Sequence, residues 1–291
     1  MKRKFKPFDE LTARDPWMLQ TAFTYRPEIG RKTIHLFLNE DPGKLIVAEA
    51  EKSEKLTYDG RGVRYDVFFR SSRMLIDLEI QKYQQKIQTL HKRGGYNRGV
   101  MLADDTKEGT EFDDLKRTVV IWICFYDPFD GEPPVTYGFT DWYHKVPDGE
   151  GKSKFVLDPW NSGVETFILN VDGNSEDAPE DFRPFMQYFQ TFAAEDDLTK
   201  MLDETVKEIK TMQGFSAQYA MDMLAYNELK ARERKAGKRE GRKEGLLEGT
   251  VKLLASQVQD GIVTEEYAAK QLGKSVEEFR KLAEKYSDKK N

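Results

Sequence analysis

Acidic residues in one stretch of the sequence are spaced so that they could bind a metal ion. Between Asp59 and Gln81 apolar and polar residues alternate twice, on either side of Ser71-Ser72. This double alternation predicts an antiparallel hairpin. With the two serines as the loop, Asp66 lies opposite Asp77, and Glu79 lies diagonally from Asp66. The three carboxylates are then roughly 5–8 Å apart on one face.

Such an acidic face requires a compensating charge. Like charges that face each other across a strand pair destabilise it. Carboxylate oxygens are hard ligands, so Mg²⁺ or Mn²⁺ is the expected cation. The pattern alone leaves a second interpretation open, in which one face of the hairpin is solvated and the acids are ordinary surface residues.

Five motifs follow one another along the chain, and the first two lie within the hairpin. They are GVRYDV at 62–67, EIQ at 79–81, HKRGGY at 91–96, DDLKRTVVIWICFYDPF at 113–129 and ETFILNVDG at 165–173. This series resembles the PD-(D/E)XK nuclease superfamily, and within it the recombination-promoting nuclease or putative transposase family. The resemblance covers roughly residues 5 to 195. The ordered series is more specific than the Asp…Glu-x-Gln core alone.

The resemblance implies a metal-dependent DNA endonuclease that acts in recombination, mobile-element biology or defence. Asp66 and Glu79 would hold Mg²⁺ or Mn²⁺, and the backbone carbonyl of Ile80 would complete the coordination. Gln81 stands where the wider superfamily has lysine. Glutamine can orient a water or a phosphate by hydrogen bonding, but it supplies no positive charge and takes no proton. The narrower family also carries Gln here, so the general base is left unassigned.

The resemblance also implies the fold. We expect an α/β protein with the α-β-β-β-α-β core of restriction endonucleases, a mixed sheet flanked by helices, and a helical C-terminal appendage. The family has an acid in its first region that helps to hold metal, and Asp15 or Glu10 could fill that role. The simpler interpretation is that both are surface or capping residues.

A basic and aromatic cluster follows the hairpin. We expect a helix after the hairpin that ends at Gly94-Gly95, because paired glycines favour a helix stop. Lys92, Arg93 and Arg98 surround Tyr96 near that stop, and we expect these four residues to contact DNA. The alternative is a solvated helix end whose cations complement the helix dipole. The match of Arg93 and Tyr96 to the family motif favours contact with DNA.

The chain divides by composition into a nuclease-like core (1–195), a helical extension with a charged linker (196–245) and a small helical appendage (246–291). Residues 228–245 contain eight Lys or Arg against four Glu. This mixture predicts an exposed helix or tether, with an arm that follows DNA phosphates as the sharper alternative. For the appendage we favour dimerisation or internal contacts over DNA reading.

Composition limits the class of protein. Of 291 residues, 38% are hydrophobic and 33% are charged, and no apolar run approaches the ~20 residues of a membrane span. We expect a cytoplasmic protein without membrane contact. The single cysteine, Cys124, lies in an apolar run and is expected to be a buried structural thiol. The net charge of −5 argues only weakly against DNA, because mean charge can hide a local basic patch.

Two other functions compete with the nuclease. The first is a catalytically inactive nucleic-acid-binding module that retains the fold. The second is an interaction protein, in which C-terminal helices form a homodimer and the hairpin is only scaffold. Retention of Asp66, Glu79 and Gln81 favours the nuclease, because an inactive site has no reason to keep carboxylates that repel each other.

Overall fold

The computed structural model describes residues 5–45, 47–50, 52–54, 62–131, 135–140, 143–147, 153–157 and 164–287. The helices are α1 (Pro16–Tyr25), α2 (Pro27–Leu38), α3 (Ile87–Asp105), α4 (Arg183–Thr191), α5 (Asp197–Thr211), α6 (Gln213–Gln259), α7 (Glu265–Gln271) and α8 (Val276–Ser287). The strands are β1 (Val47–Ala50), β2 (Ser53–Glu54), β3 (Val63–Arg64), β4 (Val67–Arg70), β5 (Met74–Gln81), β6 (Arg117–Cys124), β7 (Thr136–Thr140), β8 (Tyr143–Pro147), β9 (Ser153–Leu157) and β10 (Val164–Asn170).

A mixed sheet organises the first of two compact units, which covers Phe5–Tyr219; the second begins at Ala220. In the described residues the sheet has six strands in the order β1-β4-β5-β6-β10-β7. The pairs β1–β4 and β4–β5 are antiparallel, whereas β5–β6 and β6–β10 are parallel. The expected α/β class, with a mixed sheet flanked by helices, is confirmed. Helix α5 packs on α1 and α2, so this unit extends beyond residue 195.

The central strands are buried on both faces. Every residue of β5 is buried, and so is all of β6 after Arg117. One face packs on α1 and α2, where Phe23 meets Phe69 edge-to-face. The other face packs on α3, where Leu90 joins Trp122 in one apolar cluster. Cys124 is buried at the end of β6 as expected, and burial raises the pKa of its thiol to about 12.

The hairpin forms as predicted, but its register differs. Strand β4 pairs with β5 so that Phe68, and not Asp66, lies opposite Asp77. The loop is shifted by one residue because Ser71 stays in the ladder: its N–H donates to the Met74 carbonyl at 3.0 Å, and its hydroxyl accepts from the Met74 N–H at 3.1 Å. The resulting two-residue register shift leaves every side chain on its expected face. If the same register is extended by one residue beyond the pair of Val67 and Leu78, Asp66 lies opposite Glu79.

Helix α3 does not end at Gly94-Gly95, as the sequence suggested, but continues to Asp105. Gly94 is buried against β6 and β10, where an added Cβ would lie 3.5 Å from Trp122 and 3.7 Å from Thr166. Contact of the helix with the sheet outweighs the ~1 kcal/mol that each glycine costs a helix. Tyr96 and Arg98 therefore lie on the helix itself and not in a following loop.

The C-terminal unit is helical, as expected. The charged segment 228–245 lies within α6, a continuous helix of 47 residues, and its side chains are exposed. Leu254 of α6, Ala268 of α7 and Phe279 of α8 form a small apolar core. Long as it is, α6 is too polar to cross a bilayer, and no other helix in the described ranges has the required length and hydropathy.

Gly30 provides a test of how α2 packs on the sheet. An added Cβ would meet Cζ of Phe69 at 2.3 Å, and the Phe69 ring is buried. We expect Gly30→Ala to lower the free energy of unfolding by about 1–3 kcal/mol, measured by urea denaturation. The control is Gly99→Ala in α3, where nothing lies within 4 Å of the added Cβ; it should stabilise by about 0.5–1 kcal/mol. Equal midpoints for the two variants would contradict this contact.

Candidate functional site

The acidic residues of β5 are buried, not solvated. Asp77, Glu79 and Gln81 are 0%, 1% and 8% exposed. They alternate along β5, so they share the face that α3 covers. The interpretation of Asp77 and Glu79 as ordinary surface acids is therefore wrong.

Asp66 lies just before β4 and reaches the end of β5. Its Oδ2 accepts a hydrogen bond from the Ile80 N–H at 2.8 Å. The Gln81 carbonyl accepts from Phe125, on the β6 side. Because adjacent residues of a strand direct their backbone groups to opposite sides, the N–H and carbonyl of Ile80 both point toward Asp66. The Asp66 carboxylate and the Ile80 carbonyl thus lie at the same edge of β5.

The buried carboxyls have strongly raised pKa values. Burial raises the pKa of Asp77 to about 7, and the charge of Asp66 adds to this. Burial also raises the pKa of Glu79 well above its ordinary value, assisted by the charges of Asp77 and Asp66. Asp77 Oδ1 is buried without a hydrogen-bond partner. At neutral pH this cluster favours bound protons or a bound cation.

Asn97 of α3 connects the two buried carboxyls. Its side-chain NH₂ group donates to Asp77 Oδ2 at 2.8 Å and to Glu79 Oε1 at 3.3 Å. Asn97 was not among the site residues predicted from the sequence. Its position four residues after Arg93 places both on one face of a helix, but the expected helix stop at Gly94-Gly95 hid that relation.

Arg93 contacts the same cluster from the adjacent turn of α3. Its guanidinium donates to Glu79 Oε2 at 3.3 Å, to Gln81 Oε1 at 3.3 Å and to Gln85 Oε1 at 3.2 Å. Its plane lies over the Trp122 ring, with 4.8 Å between the guanidinium carbon and the ring centroid. Gln81 in turn donates to Glu79 at 3.2 Å. The predicted catalytic glutamine therefore touches both an acid and a cation.

A groove of about 610 Å³ opens beside this cluster. Its lining residues are Gly62, Val63, Arg64, Gln85, Thr89, Lys92, Arg93, Tyr96 and Asn97. Three of the four predicted DNA-contacting residues lie here. The fourth, Arg98, instead donates to the Thr166 hydroxyl on β10. Arg64, the arginine of the GVRYDV motif, was not predicted as a contact residue.

The donor atoms suit a hard divalent cation. In the described part of the chain, no group of three or more His, Cys, Asp or Glu side chains is arranged to hold a metal ion. The expected ligand set, however, has only two carboxylates, Asp66 and Glu79, with the Ile80 carbonyl. All three supply oxygen, which Mg²⁺ and Mn²⁺ prefer. The unpartnered Asp77 oxygen and the raised pKa values agree with a site that accepts positive charge.

Asp15 lies near the end of β5, but its carboxylate forms ion pairs with two lysines. It forms ion pairs with Lys6 at 2.7 Å and Lys82 at 2.9 Å and accepts from the Thr12 N–H. Burial opposes ionisation, but the hydrogen bonds from Lys6 and Lys82 outweigh it and lower the Asp15 pKa to about 2. Glu10, the other candidate, is exposed in a short 3₁₀ turn.

Comparison with known proteins gave no match to a family model, to a curated protein or to a solved structure. The family to which the motifs point therefore stays a prediction.

Asn97→Ala tests the hydrogen bonds that the Asn97 amide donates to Asp77 and Glu79. It leaves two buried carboxyls without that hydrogen bond, so we expect the free energy of unfolding to fall by about 1–3 kcal/mol in EDTA at pH 8. The loss should be smaller at pH 5, below the Asp77 pKa of about 7, because a neutral carboxyl depends less on the donor. Urea denaturation at both pH values measures this, with Asn227→Ala in α6 as the control. A loss of the same size at both pH values would contradict the assignment.

Asp15→Asn tests the ion pairs with Lys6 and Lys82. The folded pKa of about 2 lies below the ordinary 3.8, so the charged carboxylate stabilises the protein above pH 4, and this contribution disappears as the pH falls toward 2. Allowing for the exposure of both lysines, we expect a loss of about 1–2 kcal/mol at pH 7. Urea denaturation across this range measures it. Asp9→Asn controls for the removal of one negative charge, and a pH-independent difference would be the contrary result.

Proposed function

We propose that the protein is a metal-dependent DNA endonuclease of the PD-(D/E)XK type. One observation carries the proposal: Asp66, just before β4, meets Glu79 and Gln81 of the adjacent strand β5 beside a groove lined by cations. A buried acidic cluster costs stability. Metal-dependent phosphodiester hydrolysis gives a reason to keep it, because the reaction needs both a cation and a nearby anionic substrate.

The order of elements supports the proposal. Helices α1 and α2 precede β1, β4 and β5, and α3 then leads to β6. With the two-residue strands β2 and β3 set aside, this order supports the proposed α-β-β-β-α-β core. Strands β1, β4 and β5 pair antiparallel in that order, and β6 is parallel to β5. Glu79 lies on β5, and Asp66 directly precedes β4.

Each site residue has a defined task in this proposal. Asp66, Glu79 and the Ile80 carbonyl would hold Mg²⁺ or Mn²⁺, which when bound acidifies water and stabilises charge on the phosphate. Arg93 and Asn97 hold the Glu79 carboxylate in place. The Gln81 amide can orient a water or a phosphate oxygen, because it carries both a donor and an acceptor.

The groove provides the binding surface for DNA. Arg64 and Lys92 are exposed along it, and the half-exposed Tyr96 offers a ring for stacking. These cations neutralise phosphates locally, so the net charge of −5 does not oppose binding. The biological role that goes with this activity is recombination, mobile-element transfer or defence against foreign DNA.

A homodimer through the C-terminal unit forms part of the proposal. This unit exposes large apolar side chains, among them Leu224, Leu246, Leu253 and Ile262. Burial of such residues between two copies would remove apolar surface from water. Loss of assembly with retained cleavage, after removal of residues 228–291, would separate this role from the chemistry.

A catalytically inactive nucleic-acid-binding module is the second candidate. The observation that favours it is that Glu79 is 1% exposed and already hydrogen-bonded by Arg93, Asn97 and Gln81. In that case the polar network only supports the groove. The two candidates differ in catalysis and agree on binding to nucleic acid.

Plasmid cleavage distinguishes the two candidates. We expect nicking by the purified protein in Mg²⁺ or Mn²⁺ and none in EDTA. Asp66→Asn and Glu79→Gln should each reduce the rate by at least about 100-fold, because each removes a charged metal ligand. Glu108→Gln, a change of the same type at an exposed loop position, should cut like the wild type.

Two results would count against the nuclease. If the wild type cuts in neither metal, the enzyme proposal is wrong, and retained DNA binding would then favour the inactive module. If both variants cut as fast as the wild type, the carboxylate site is wrong. Thermal unfolding of each variant separates loss of activity from loss of the fold.

A further inference from the structure

The acidic cluster creates a problem for an anionic substrate. A DNA phosphodiester carries one negative charge. The carboxyl groups of Asp66, Asp77 and Glu79 can each add a further negative charge close by. Gln81 lies at the end of this row and is neutral. A phosphate can approach only if fixed positive charge faces it, and a metal held by the same carboxylates supplies part of that charge.

Arg93 is positioned to supply the rest of the positive charge that faces the phosphate. It hydrogen-bonds both Glu79 and Gln81, and it also lines the groove. Its side chain is 32% exposed, whereas that of Glu79 is 2% exposed. The guanidinium therefore lies between the buried acid and the open groove, where a substrate would enter.

The guanidinium is also held rigidly. Gln81, Gln85 and Glu79 accept its hydrogen bonds, and Trp122 lies against its face. A cation already oriented in the free protein needs little rearrangement when charge develops on a substrate. Lys92, in contrast, precedes Arg93 by one residue and is an exposed side chain along the groove.

We propose that Arg93 contacts the phosphate that is cleaved and stabilises the charge it gains during hydrolysis, whereas Lys92 and Arg64 contact flanking phosphates. This inference rests on the proposed nuclease function. A phosphate oxygen would displace the neutral amide oxygens of Gln81 and Gln85, which bind a guanidinium more weakly than a carboxylate does. The ion pair between Arg93 and Glu79 stays in place.

Water is the only co-reactant. Its oxygen forms a bond to phosphorus while one phosphorus–oxygen ester bond breaks. One proton of the water goes to the departing oxygen, which becomes an alcohol, and the other stays on the phosphate monoester or passes to solvent. Arg93 takes no part in the proton transfer, because a guanidinium is a hydrogen-bond donor without an acceptor atom. Its contribution is charge and geometry.

The planar fork of arginine is central to this role. A lysine at position 93 would keep the positive charge but would lose the paired donors and the flat contact with Trp122. Arg93→Lys is therefore expected to reduce the single-turnover rate of plasmid cleavage by at least about 10-fold, and Arg93→Gln by at least about 100-fold. The affinity for a labelled DNA duplex, measured in EDTA, should change less than about threefold, because one phosphate contact among several is affected.

Chemical rescue separates a direct role from a structural one. Addition of free guanidinium ion to Arg93→Ala should restore a measurable part of the cleavage rate, whereas the same addition should not help Glu79→Gln. Lys92→Gln provides the contrast within the groove, since its loss should appear as weaker DNA binding and a lower salt dependence. Lys107→Gln, at an exposed position after α3, controls for the removal of one positive charge.

The outcomes distinguish this inference from the enzyme proposal. If the wild type cleaves and Arg93→Lys cleaves at the same rate, Arg93 does not serve the cleaved phosphate, while the nuclease stands. If the Arg93 variants lose only affinity, as Lys92→Gln does, Arg93 is an ordinary DNA contact and the inference is wrong. If the wild type does not cleave at all, the enzyme proposal and this inference both fail.

Discussion

Burial of acidic charge between β5 and α3 is the constraint on which the first unit depends. Asp77 and Glu79 lie in the centre of the sheet, where an unpaired carboxylate is costly. Asn97 and Arg93 provide the donors, and both come from α3. Helix α3 must therefore pack against the sheet at one fixed position. The buried Gly94 lies between them in sequence and faces Trp122 and Thr166 of the sheet.

Alternation along the chain predicts the faces of the hairpin but not its register. The pattern correctly placed Asp77, Glu79 and Gln81 on one face, and the apolar run around Cys124 correctly predicted a buried thiol. The loop was misplaced by one residue because the choice depends on the hydroxyl of Ser71, which accepts from the backbone beyond the turn. A hydrogen bond of this kind leaves no trace in hydrophobic periodicity.

Contacts made by α3 could not be predicted for a different reason. Glycine pairs usually end helices, but here α3 continues because it packs on the sheet, with Gly94 buried against Trp122 and Thr166. A helix that ended at Gly94-Gly95 would not include Asn97. Arg93 was recognised through its motif, but its ion pair with Glu79 depends on how α3 crosses the sheet. Tertiary contacts decide such details, and local sequence does not contain them.

The reactivity of the single cysteine can be used to measure how often the sheet opens in the native protein. Cys124 pairs with Gln81 in the β5–β6 register, and its thiol is both buried and protonated at neutral pH. Thiol reagents react with the exposed thiolate, so modification requires the centre of the sheet to separate. The rate of labelling thus measures how often these strands come apart in the native protein. A ligand that binds next to Gln81 and tightens the strands would slow that rate, whatever reaction the site performs.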